Sequence, residues 1–152
     1  MALKLSIFDD TVALGSDQAT GARGTLTRII NGCGHTSVLG ECVSNSPSSD
    51  NQFVCSPSGF DCIGVVAEAG VAQGAPCWVW KNGSRCQVLF ADGQSATRGQ
   101  IALGSDTDGR AYNIAVPDSN PVQAEHFREI GHVCESKIAG TNVLVLCDIH
   151  FN

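Results

Sequence analysis

Four side chains near the carboxyl end combine the residue types that bind soft metals or form disulfides: His132, Cys134, Cys147 and His150. They fall in two apolar, β-branched runs, Ile130 to Ile138 and Val143 to Phe151, on either side of Ala139-Gly140-Thr141-Asn142. That composition predicts a β-hairpin with glycine at a position of positive φ. With Gly140 and Thr141 as the two loop residues, Cys134 faces Cys147 at a non-hydrogen-bonded pair. There the Cα atoms lie about 4.5 Å apart, within the reach of a disulfide. His132 shares their face, so zinc is a second use of the same cluster. Structural zinc, however, ordinarily uses close Cys-x2-Cys or His-x3-His pairs, which are missing here. A packed or disulfide-bonded hairpin is the plainer reading, and no metal or other cofactor is expected.

The same turn rule applied at Ser58-Gly59 places Cys55 opposite Cys62, a second candidate disulfide, although Pro57 spoils the ladder there. Around Asn82-Gly83, a strong type I′ hairpin signal, Cys86 faces Val79 and Cys77 becomes a diagonal neighbour about 7 Å away, too far to bridge without strain. Cys33 and Cys42 have no turn midway between them, and the sequence assigns them no partner. The eight cysteines pose a compartment problem. The amino terminus carries no apolar run of secretory length, and nowhere do about 18 apolar residues run together, so the chain is expected to be made in the cytoplasm, where thiols stay reduced. Either the cysteines act as small buried hydrophobes, or the protein works outside the cell that makes it.

Catalytic motifs fail on spacing. His126 and His132 are six apart with Glu129 not adjacent to the first, which a helix cannot turn into a zinc-protease site. Asp106-Thr107-Asp108-Gly109 resembles the start of a calcium loop but lacks the later ligands, so an Asp/Gly turn is expected. Nucleophile elbows, phosphate loops and dinucleotide fingerprints are absent from the sequence. No catalytic residue is assigned and no enzyme is expected. Trp78 and Trp80, two apart, point to one face of a strand and suit a core or an oligomer interface.

The elements that must carry these residues read as strands. Short apolar segments alternate with Gly, Asp and Asn turns every 8 to 12 residues or so, and no stretch has a capped period of 3.6. The fold class expected is all-β, a small, predominantly antiparallel sandwich or barrel. Residues 1–60 would supply an extended N-terminal arm and loop-rich strands packing on the same domain. In them Gly15 to Gly24 reads as a small-residue loop and Ser44 to Ser58 as the clearest loop of all. Residues 61–152 would form a β-meander core ending in the hairpin 130–151. A chain of 152 residues buries roughly two thirds of its unfolded surface as one domain. Its net charge of −6, with nine scattered basic residues, argues against nucleic-acid binding.

Ile63-Gly64-Val65-Val66-Ala67-Glu68-Ala69-Gly70-Val71-Ala72-Gln73-Gly74, then Val79-Trp80-Lys81-Asn82-Gly83, and the ending HFREIGHVCESKIAGTNVLVLCDIHFN together resemble the decoration, or cement, proteins of tailed-phage capsids. The similarity covers about residues 60–152. It implies a structural virion protein on the outer capsid surface, made in the host cytoplasm, that clamps the major capsid protein and forms a homotrimer, without nucleic-acid or membrane partners. Low charge and small side chains suit such symmetric packing. The alternative is a disulfide-stabilised phage adhesin or carbohydrate-binding module.

Overall fold

A computed structural model describes residues 3–7, 12–56, 61–115 and 127–151. The fold is all-β, as the turn spacing predicts, with the described strands in one mostly antiparallel sheet. They run β1 (Leu3–Ile7), β2 (Val12–Asp17), β3 (Ala22–Asn31), β4 (Cys42–Asn45), β5 (Gln52–Cys55), β6 (Gly64–Val66), β7 (Pro76–Leu89), β8 (Ile101–Gly104), β9 (Ala111–Ile114), β10 (Glu129–Val133) and β11 (Leu144–Ile149).

The sheet closes on itself twice. β3 pairs with β5, β5 with β4, β4 with β6, β6 with β7, and β7 returns to β3, which completes one ring; within it only β3 and β5 run parallel. The far half of β7 pairs with β11, followed by β10, β8 and β9. A bridge from Phe90 to Ala111 brings that series back to the end of β7. The long β7 is therefore the wall shared by both rings. Its period of two sorts side chains between two cores. Cys77 and Val79 point into the first ring with Ile29, Val43, Phe53 and Val66. Trp78 and Trp80 point the other way, into a larger cluster with Leu26, Val65, Val88, Ile130 and Val145. The tryptophans are core, and Arg28 lies over the Trp78 ring at 5.8 Å.

The expected hairpin at Asn82-Gly83 does not form. β7 passes straight through it, and Gly83 serves another purpose: it lies opposite Gly24 of β3. A Cβ on Gly24 would lie 2.1 Å from the Asn82 carbonyl oxygen, and one on Gly83 would lie 2.6 Å from that of Arg23. The two glycines let the backbones approach where the register shifts between Thr25 and Leu26. Arg85, with φ of 54°, takes the left-handed conformation just beyond, and the register with β11 shifts again there. These bulges bend β7 from one ring into the other. The bend separates Cys77, in the first core, from Cys86, in the second.

The amino-terminal segment is sheet as well. Gly15 to Gly24, expected as a loop, contains the ends of β2 and β3 and a tight turn in which Asp17 accepts from the Ala19 amide and the Gly21 amide bonds back to the Asp17 carbonyl. A Cβ on Gly15 would lie 2.1 Å from Leu26 Cδ1 and 3.0 Å from the Trp80 ring, so any larger residue there must displace the buried Leu26 side chain. The stretch from Ser44 to Ser58 likewise holds the end of β4 and all of β5. Of the expected turns, Ser58-Gly59 and Pro117 to Pro121 lie outside the described residues, as does His126.

The terminal hairpin exists, in a register one residue away from the expected one. Val133 faces Cys147 and His132 faces Asp148. Gly140 and Thr141 do not form a two-residue turn, because the connecting segment is held from outside: Lys137 bridges to Ala96, the Gly140 carbonyl accepts from the Gly93 amide, and the Asn142 amide donates to Asp92 at 2.9 Å. Asn142, not Gly140, carries the positive φ. A one-residue slip exchanges the faces of the strand, so Cys147 turns into the core and Cys134 does not face it.

Candidate functional site

The end of β3 leads into a loop organised by one buried side chain. Asn31, fully excluded from solvent, accepts from the Cys33 amide at 3.0 Å through Oδ1 and donates from Nδ2 to the carbonyls of His35 (2.9 Å) and Val71 (3.1 Å). Three bonds from one amide fix a loop that has no ladder of its own. Gly34, with φ of 83°, supplies the turn between Cys33 and His35. At the loop's far end Glu41, itself buried, caps the chain by accepting from the Val38 amide at 3.1 Å.

These contacts converge four potential ligand atoms. The Cys33 and Cys55 sulfurs, a ring nitrogen of His35 and a carboxylate oxygen of Glu41 all lie within 4.8 Å of one another. His35 Nε2 lies 3.4 Å from Cys55 Sγ and 3.5 Å from Glu41 Oε1. Its Nδ1 is 2.8 Å from the Thr36 carbonyl, to which it donates, and Nε2 is thereby left to face the two acidic groups. That backbone bond, with Glu41 nearby, holds the imidazole pKa above its ordinary value. Burial raises the Glu41 carboxyl, and a hydrogen bond with Cys33, followed by burial, raises the Cys55 thiol. Gly109, with φ of 68°, closes the site, its Cβ position 3.6 Å from both Cys55 Sγ and Glu41 Cγ. Its amide donates to the Ser56 carbonyl and its carbonyl accepts from the Cys42 amide. The Asp106-Thr107-Asp108-Gly109 segment is thus a turn packed over this cluster.

The structure does not join the cysteine pairs expected from turn geometry, and all eight are thiols. Cys55 and Cys62 are separated by β4, which lies between β5 and β6. Cys55 joins Cys33, while Cys62 hydrogen-bonds Cys42, whose fully buried thiol is raised by that bond and by burial. Cys147 lies opposite Cys86 on β7; burial raises both, Cys86 to about 12. Cys134 is half-buried, directed to the His132 carbonyl. The histidines at the chain end do meet, with His150 Nε2 3.3 Å from His132 Nδ1 and 3.4 Å from Glu129 Oε1. Its two histidines are exposed, Glu129 is half-buried, and it contains no thiol. Turn-based reasoning missed the Cys33 cluster because its members are far apart in the chain, although the Cys33-Gly34-His35 spacing was a local signal of it.

A second feature is a surface. β1 ends the sheet, paired along one side only, with β2, among the described residues. Beside it a shallow groove of about 400 Å³ is lined by Lys4, Leu5, Leu14 and Arg23 among others. Leu14, on the outer face of β2, is 50% exposed. Compared with known proteins, the chain matches no family model and no curated relative.

Proposed function

We propose that this chain is a cement protein, binding the outer surface of a phage capsid and stabilising contacts between major capsid protein subunits, with three copies meeting around a symmetry axis. The observation that carries the reading is the outer edge of β1, unpaired among the described residues, beside the exposed Leu14. A strand of five residues without proline leaves a row of backbone donors and acceptors that a neighbouring chain can complete. Leu14 adds apolar area next to it. The resemblance across residues 60–152 supports the same reading, and β1 is held on the sheet by its pairing with β2 and by Leu3 and Leu5 against the larger core. Stabilisation follows by linkage, because a ligand that binds only the assembled shell opposes its disassembly.

The test mixes the purified chain with expanded empty capsids of its own phage and follows co-sedimentation and capsid melting. Binding with a raised melting temperature, lost in Leu14→Asp, is expected. Absence of both effects overturns the reading, and binding to whole cells or glycans instead would favour an adhesin.

A further inference from the structure

We propose that Cys33, His35, Glu41 and Cys55 form a structural zinc site that staples the loop after β3 to the start of β4 and the end of β5. The inference is independent of the capsid reading.

The donor set is one that zinc selects: two thiolates, one imidazole and one carboxylate, filling a tetrahedron. With bonds of about 2.0 to 2.3 Å, tetrahedral ligands stand roughly 3.3 to 3.8 Å apart. Two edges of this cluster, 3.4 Å from Cys55 Sγ to His35 Nε2 and 3.5 Å from His35 Nε2 to Glu41 Oε1, are of that size. Supporting contacts are also in place. The Nδ1 bond to the Thr36 carbonyl fixes the imidazole with Nε2 toward the centre, the hydrogen-bonded second partner that metal-bound histidines use. Asn31 holds the backbone of both Cys33 and His35, and the Val38 amide holds the second oxygen of Glu41. None of these bonds depends on an ion, so the site is preorganised.

The arrangement also has a reason to hold a cation. Three acidic groups crowd one imidazole, and a buried carboxylate beside two thiols is costly unless something positive neutralises it. The group of Glu129 with the exposed His132 and His150 offers three ligands and no sulfur, and makes an internal control. A zinc staple is also compatible with the free thiol state of all eight cysteines.

The experiment purifies the full chain under reducing conditions and measures bound zinc, then replaces zinc by cobalt(II) and records the visible spectrum. About one metal per chain is expected, with the intense visible bands of a tetrahedral cobalt site and sulfur-to-cobalt charge transfer. Cys33→Ser and His35→Ala should each weaken binding at least tenfold, while His132→Ala leaves it unchanged. Should Cys33→Ser fail to fold, the wild-type cobalt spectrum still decides, since tetrahedral thiolate coordination arises from no other pair of clustered cysteines joined to a histidine among the described residues. A protein that takes up no zinc or cobalt after reduction overturns the proposal. So do a six-coordinate spectrum without sulfur charge transfer, metal lost through His132→Ala, and a Cys33–Cys55 disulfide that persists in reductant.

Discussion

Gly83→Ala tests whether β7 bends at a glycine contact or turns there. Gly83 has no left-handed φ, so the substitution carries no backbone penalty. By reducing the freedom of the unfolded chain it should stabilise by about 0.4 to 1 kcal/mol. Against this stands the new methyl group, 2.6 Å from the Arg23 carbonyl oxygen, 2.9 Å from Cys86 Sγ and 3.2 Å from Gly24 Cα. Two of these three partners are backbone atoms and cannot rotate away, so β3 and β7 must separate by several tenths of an ångström. Overpacking of this kind costs about 1 to 3 kcal/mol, and it wins. A net loss of about 1 to 2 kcal/mol corresponds to a fall in Tm of about 2 to 8 °C for a chain of this size. Asn82 is exposed and not left-handed, so Asn82→Ala should stay within about 0.5 kcal/mol. The double variant Gly24→Ala/Gly83→Ala should lose less than the sum, because one separation relieves both contacts. Urea unfolding followed by the fluorescence of Trp78 and Trp80, both buried beside the bend, reads all of these. A Gly83→Ala protein as stable as the parent would refute the close approach, whereas losses in both Gly83→Ala and Asn82→Ala, the latter above about 1 kcal/mol, are the signature of a type I′ turn, whose two central residues both need positive φ, and would refute the bend.

Phe53→Ala removes the largest side chain of the first core, fully buried, and should cost about 3 to 5 kcal/mol in the same assay, whereas the exposed Phe127→Ala should lie within about 0.5 kcal/mol. Native alkylation at neutral pH should spare Cys77, raised by burial to about 11, and Cys86, raised to about 12; labelling of either before unfolding, detected by peptide mass, would contradict their placement. The metal-free protein should lose stability as pH rises from about 4.5 toward neutrality, because Glu41 and His35 have raised folded pKa values: their contribution is complete below the unfolded values of 4.5 and 6.5 and is lost above the folded ones. Zinc competes with those protons, so the gain in Tm on adding it should grow over the same range; a gain independent of pH in thermal melts would show that these residues are not its ligands.

Sequence alone determined the fold class and most strand positions, because alternation of apolar residues and Gly or Asp turns is a local signal: Val65-Val66, Cys77 to Trp80 and Leu144 to Ile149 are all strand. It also placed both tryptophans on one face. What it could not determine was register and closure. Asn82-Gly83 has the local chemistry of a turn, yet glycine equally permits two backbones to touch, and only the approach of β3 selects the second use. In the terminal hairpin the turn was displaced by contacts from Asp92, Gly93 and Ala96, distant in sequence, and a shift of one residue undid the Cys134–Cys147 pair. The insertion of β4 between β5 and β6 undid Cys55–Cys62 in the same way. The Cys33, His35, Glu41 and Cys55 cluster is a product of ring closure: the parallel pairing of β3 with β5 brings Cys55 beside a loop more than a dozen residues earlier. Side-chain alternation is written in neighbouring residues, whereas the partner of each strand is chosen by burial summed over the whole chain.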